Sequence, residues 1–156
     1  MKALKFSAQL AYAAAFAEIM LPILKSEFAA VDALVPVPLH RWRQALRGFN
    51  QAQEICRLLA RLTALPIETA PRRVRATAAQ SGLGRAARRR NLRAAFALAA
   101  PLKCQYPVLI DDVMTTGETC WQLSLLLRAN GAKQVGVLTV ARAANGRQPG
   151  SGVSNV

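Results

Sequence analysis

Acidic residues are scarce in this sequence. Only 8 Asp and Glu stand against 21 Lys and Arg, so the 156-residue chain carries a formal net charge of +13 and a pI near 11.2. Such an imbalance predicts an anionic partner: nucleic acid, a phosphorylated small molecule or an acidic membrane surface. Histidine is reduced to His40, and the three cysteines (Cys56, Cys104 and Cys120) stand at unrelated spacings with no CxxC pair. A zinc site and a disulfide framework are thereby excluded, and a reducing, cytoplasmic setting is expected. No uninterrupted apolar run approaches the roughly 20 residues of a membrane span. What is plentiful is apolar: 53% hydrophobic against 19% charged residues excludes a disordered chain. The length suits one domain, expected over 1–143, with a disordered tail rich in Gly, Ser, Asn and Pro over 144–156.

The N-terminus has two readings. Met1 to Lys5 is basic, Leu10 to Ala17 is apolar and Ala15-Phe16-Ala17 mimics a cleavage site, as in a secretory signal. Against this, Phe6, Leu10, Ala13, Ala17, Met20, Leu21 and Leu24 recur at three- and four-residue steps with Gln9 and Glu18 between them. The periodicity favours an amphipathic helix ending near Glu27. Val31 to Pro38 predicts a short strand stopped by prolines, followed by a basic loop from His40 to Gly48. Asn50 with Gln53 three residues on predicts a capping box, opening a helix whose buried stripe is Ala52, Ile55, Cys56, Leu59 and Leu62. Pro66 to Arg75 reads as a second strand. Ala76 to Arg93, arginine-dense and aperiodic, reads as a long mobile excursion with a short helix near Arg85 to Leu92. Tyr106 to Val113 is the clearest strand, with two aspartates breaking it. A helix from Thr116-Gly117 to about Ala129, a stop at Asn130-Gly131 and a strand from Val135 to Val140 complete the pattern. Trp121 and Phe96 read as helical core residues. Alternating strands and helices, several strands continuously apolar, predict an α/β fold with a mostly parallel sheet covered on both faces.

The chemistry concentrates in Val108-Leu109-Ile110-Asp111-Asp112-Val113-Met114-Thr115-Thr116-Gly117-Glu118-Thr119. A buried strand ends in two carboxylates, then a hydroxyl-rich turn with glycine, then a helix start. Ligands of open α/β sheets bind outside the carboxyl ends of strands. The free N–H groups of a helix N-terminus make Thr115 to Thr119 a cradle for phosphate, and Gly117 allows close backbone approach. Two carboxylates beside that cradle would repel a phosphate in contact with them; they suit ribose hydroxyls or a divalent cation. A phosphorylated ribose meets both demands. The plainer alternative for an Asp-Asp pair is a solvated turn, which the buried residues before it and the Thr-Thr-Gly-x-Thr after it disfavour.

This stretch resembles the hallmark of the type I phosphoribosyltransferases. Val35-Pro36-Val37-Pro38-Leu39, Arg47-Gly48-Phe49-Asn50-Gln51, Gln80-Ser81-Gly82-Leu83, Arg89-Arg90-Asn91-Leu92 and Ala95-Phe96 further resemble the ComF/GntX branch, the competence-associated phosphoribosyltransferase-like proteins, over roughly Met1 to Arg142. The resemblance implies a type I phosphoribosyltransferase fold: a central, mostly parallel sheet flanked by helices, under a small flexible hood. It implies that Asp111 and Asp112 hold the ribose hydroxyls of 5-phosphoribosyl-1-pyrophosphate, and Mg²⁺ mostly through that substrate. Thr115, Thr116, Gly117, Glu118 and Thr119 would bind its 5′-phosphate. Pro38, Leu39, His40, Arg41, Arg43 and Arg47 would face the pyrophosphate, although a solvated loop histidine is the plainer reading of His40. Arg75 to Asn91 would be the loop that closes over the site. Arg89 and Arg90 would stabilise the departing charge and are the catalytic candidates.

Two departures from the branch stand out. Full-length relatives carry an N-terminal zinc ribbon that this sequence does not show, so a lost ribbon, a truncated product or a misplaced start codon is expected. Thr115 stands where hypoxanthine-type members place an aspartate, so the turn is nearer to members acting on pyrimidine precursors or amine donors. The leading expectation is a transferase of phosphoribose (a pentosyl glycosyltransferase linked to nucleoside metabolism) to an unidentified acceptor. The alternative is a non-catalytic competence and DNA-uptake factor that binds single-stranded DNA, with other competence proteins as partners; a weaker third is a regulator sensing the pyrophosphate ligand. Thirteen arginines between Arg41 and Arg93, against Glu54 and Glu68, exceed what one pyrophosphate needs and suit a phosphate backbone.

Overall fold

A computed structural model describes residues 2–39, 49–74 and 95–143, with side chains from residue 11 onward. The chain begins with α1 (Lys2–Glu27) and enters β1 (Ala33–Pro36), then α2 (Gln51–Thr63), β2 (Pro71–Arg73) and β3 (Phe96–Leu98). The long strand β4 (Pro107–Met114), α3 (Glu118–Ala129) and β5 (Gly136–Arg142) follow. The central sheet is parallel in the order β1-β4-β5, and β2 and β3 form a separate antiparallel pair. Among the described residues no helix is long and apolar enough to cross a membrane.

The alternation of β4 explains its continuous apolar run. Val108 and Ile110 pack with Ala17, Met20 and Leu24 of α1 and Ile55 and Leu59 of α2. Leu109 faces the other way, onto Cys120, Leu123 and Leu127 of α3. Successive strand side chains point to opposite faces, so a strand buried on both sides must be apolar at every position. The predicted stripe on α1 is buried at Ala13, Ala17, Met20 and Leu24.

Several expectations are corrected. The stripe on α2 ends at Leu59, because Leu62 lies 53% exposed on the last turn. The second strand is not a member of the central sheet. Ile67 makes a single parallel bridge to Leu34, and Pro71–Arg73 turns away to pair antiparallel with Phe96–Leu98. Phe96 is buried as expected, but in that strand and not in a helix. The aspartates do not break β4, since β5 goes on pairing beyond them through Val113↔Ala141 and Met114↔Arg142. Trp121 is 45% exposed on the outer side of α3 and is no core residue. The excursion over 75–91, its short helix and the tail over 144–156 lie outside the described residues.

Candidate functional site

The site is built on the carboxyl end of β4, between its two parallel neighbours. Pro36 is opposite Ile110, and the Val37 N–H donates to the Ile110 carbonyl at 3.0 Å, so β1 releases Pro38 and Leu39 beside the start of the acidic pair. On the other flank Asp111 is opposite Thr139 of β5. Asn50 holds this edge together. Its side chain accepts from the Ala52 N–H at 3.1 Å, capping α2, and donates to the Val37 carbonyl at 3.1 Å. The cap was legible in the sequence. The tie across thirteen residues to the end of β1 was not, because local pattern carries no sign of it.

Both aspartates are half-buried. The Asp112 N–H donates to Asp111 Oδ1 at 3.0 Å, and the Val113 N–H donates to Asp112 Oδ1 at 2.8 Å. Burial, then the neighbouring charge of Asp112 and the hydrogen bond that a protonated Asp111 donates to its side chain, push the Asp111 carboxyl up to about 7. Asp111 also reaches the first turn of α3: the Cys120 thiol is pushed up to about 12 by burial and, second, by the charge of Asp111. Asp111 and the first turn of α3 thus lie within electrostatic reach of each other.

The turn between them has the form a phosphate cradle requires. Gly117 caps α3 with φ +75°, a left-handed conformation that side-chain-bearing residues rarely adopt, and a Cβ there would meet Met114 Sδ at 3.4 Å. The Trp121 N–H closes the first helical turn onto the Gly117 carbonyl at 2.9 Å. Thr115 and Thr116 are exposed, and Thr116 Oγ1 is 3.5 Å from the Glu118 N–H. The Glu118 carboxylate accepts from Gln122 Nε2 at 3.0 Å. Among the described residues no third His, Cys, Asp or Glu joins the two aspartates in a metal-binding group. Two carboxylates are too few for a resident ion; they fit Mg²⁺ brought by substrate phosphates and its own waters.

The structure therefore brings together Asp111, Asp112 and Thr115 to Thr119, with Pro38 and Leu39 on the adjoining strand exit. His40, Arg41, Arg43, Arg47, Arg89 and Arg90 lie outside the described residues. Sequence reasoning missed the cavity beside this edge, of about 660 Å³, which Pro38 and Leu39 share with Asn50 and the β2–β3 pair. Neither aspartate nor the turn lines it. It arises from packing between distant segments, for which no local pattern exists.

No protein-family model matches the chain. It is 41% identical over 117 residues to competence protein F of Haemophilus influenzae, covering 72% of this chain and 51% of that protein. It is likewise 41% identical over 112 residues to DNA utilization protein YhgH of Escherichia coli K12, covering 71% of this chain and 49% of that one. The chain thus spans about half the length of these relatives. Among solved structures it resembles orotate phosphoribosyltransferase from Aeropyrum pernix, with a TM-score of 0.53 at 18% identity over 82% of this chain and 58% of that one. That likeness is one of fold.

Proposed function

Over the stretch it shares with them, this chain belongs to the family of competence protein F and the DNA utilization proteins YhgH, and on that premise we propose that it binds 5-phosphoribosyl-1-pyrophosphate and transfers its phosphoribosyl group to a small acceptor. The observation that carries this reading is the junction at the end of β4: two half-buried carboxylates, one within electrostatic reach of α3, beside a glycine-capped helix start. Asp111 and Asp112 take the ribose hydroxyls. The N–H groups and hydroxyls of Thr115 to Thr119 take the 5′-phosphate, and Pro38 to Arg41 with Arg43 and Arg47 face the pyrophosphate.

In the transfer, a lone pair of the acceptor forms a bond to C1′ of the ribose while the bond from C1′ to the pyrophosphate oxygen breaks. The pyrophosphate leaves with that electron pair, and the acceptor releases its proton to solvent. Arg89 and Arg90 stabilise the charge that develops on the leaving group. Mg²⁺, carried in with the pyrophosphate, supplies further charge neutralisation. The three cysteines Cys56, Cys104 and Cys120 are free and buried, which suits a cytoplasmic setting.

The test is a thermal-shift titration with phosphoribosyl pyrophosphate and Mg²⁺. At 100-fold excess over the dissociation constant, binding adds about 2.7 kcal/mol of stability, a rise of several degrees in Tm. Asp111→Asn with Asp112→Asn should remove the rise. A wild-type chain that shows no shift at millimolar ligand would sink the reading.

A second reading is favoured by the charge of +13 and by the names of the relatives: binding of single-stranded DNA by the arginine-rich stretch of sequence, with no transfer chemistry. In that reading other competence proteins are the further partners.

A further inference from the structure

Trp121 stands one turn beyond the phosphate cradle, its N–H closing onto the Gly117 carbonyl and its side chain 45% exposed. Leu125 and Arg128 follow four and seven residues on, both exposed, so the three share one side of α3. Cys120, Leu123, Ser124 and Leu127 are buried on the side turned to the core. At 1.5 Å of rise per residue, Trp121 and Arg128 are about 10 Å apart along the helix. An indole and a leucine left in water forgo the burial that a partner would give them. Charge then narrows the partner. Glu118 is the last acid of the sequence, and its carboxylate accepts from Gln122 Nε2. Every charged residue after it is basic, beginning with Arg128 and Lys133. A second copy would bring another molecule of charge +13 against this side, whereas a polyanion is drawn to it. Among polyanions, a single strand of nucleic acid also offers unpaired bases, which stack on aromatic rings whatever their sequence.

We infer that Trp121 is a base-stacking platform for single-stranded DNA, with Leu125 extending its apolar surface and Arg128 neutralising a phosphate further along the strand. This role rests on the reading of the chain as a single-stranded DNA binder and does not need phosphoribosyl transfer. It adds a contact outside the arginine-rich stretch between Arg41 and Arg93, one that holds a base and not only a charge. The direction of the strand follows from electrostatics. Asp111, Asp112 and Glu118 crowd the start of α3 with negative charge, so the strand runs from the indole toward Arg128. Stacking supplies affinity that salt does not screen, and Arg128 supplies affinity that salt does screen.

Trp42 is the other tryptophan of the sequence, so the full chain carrying Trp42→Phe reports on Trp121 alone by its fluorescence. It is titrated with an oligothymidylate of roughly 12 nucleotides, within the site sizes of single-strand binding folds. A parallel titration uses an abasic oligomer of the same length, which keeps the phosphates and has no bases. Oligothymidylate should quench the emission, whereas the abasic oligomer should bind by charge and leave the emission unchanged. In the otherwise native chain, Trp121→Leu should weaken oligothymidylate about tenfold, near the lower end of what one stacked base contributes. Its salt slope and its affinity for the abasic oligomer should stay as in wild type, and so should the melting temperature of this exposed variant. Trp121→Phe should restore most of the lost affinity, and Arg128→Gln should instead flatten the salt slope by about 0.7. Oligothymidylate bound without quenching, equal quenching by both oligomers, or unchanged affinity in Trp121→Leu would overturn the platform while DNA binding itself stands. A slope untouched by Arg128→Gln would overturn the phosphate assignment. Emission that shifts with protein concentration before DNA is added would overturn the platform as well, since this side would then seat a second copy. Absence of binding by either oligomer would remove the platform and the DNA reading together.

Discussion

Asp111 is the residue on which burial and function collide. Its carboxyl titrates near 7 in the folded chain and at 3.8 in the unfolded one. Between those values the folded chain keeps a proton that the unfolded chain has lost, so the stability associated with neutral Asp111 declines as pH rises from about 4 to about 7 and is level above. Asp111→Asn removes that decline while keeping an acceptor for the Asp112 N–H. The variant should therefore be more stable than wild type to urea at pH 8, with the gap closing by pH 4. A gap of equal size at both values would mean that the carboxyl is not destabilised by its surroundings. A group that weakens the fold at neutral pH, placed at the end of the central strand, is what a ligand-binding carboxylate looks like before its ligand arrives.

At the scale of elements, the junction of β1 and α2 decides whether the strand exit can serve a site. Asn50 is buried and both ends of its amide are used. Asn50→Ala removes the cap and leaves the Val37 carbonyl without this donor, a loss of about 2 kcal/mol. Asn50→Ser keeps a capping acceptor but cannot reach Val37, so roughly half of that loss is expected. Urea unfolding of the two variants separates cap from tie; equal losses would show that the cap carries everything. This junction also illustrates what local pattern can and cannot reveal. A capping residue before an apolar stripe is readable because it acts within one helical turn. The carbonyl that the same side chain holds thirteen residues away is not. Leu62 likewise departs from its expected burial: it continues the stripe in sequence but lies exposed on the last turn of α2.

For the molecule as a whole, the choice lies between one small anionic substrate and a long polyanion. The two differ in their response to salt. If single-stranded DNA uses the arginine-rich stretch, the logarithm of the binding constant should fall linearly with the logarithm of salt concentration. Arg88→Ala, Arg89→Ala and Arg90→Ala together should then flatten the slope by about 0.7 for each phosphate that is no longer neutralised. A salt-independent affinity would remove the polyanion reading, and with it the reason for so many arginines beyond those a pyrophosphate needs.

The order of strands and helices apart from β3, which was read as helical, the parallel sheet covered on both faces, and the acidic pair ahead of a glycine-bearing turn were legible in the sequence. Each is a short-range pattern: apolar alternation, a cap, a strand end followed by a helix start. Other features were decided only when distant segments packed. The run from Pro66 to Arg75 reads like any strand, yet it meets the central sheet only in a single bridge around Ile67, where Pro66 and Glu68 hydrogen-bond Leu34, while Pro71–Arg73 pairs with a strand more than twenty residues away. Trp121 has the spacing of a core residue but falls on a side of α3 that the described residues leave exposed. The cavity beside the strand exit has no linear trace at all, because it is the space left between a strand exit, a helix start and a hairpin. Periodicity reports which way a side chain points along its own element; which neighbour waits there is settled by the free energy of the whole assembled core.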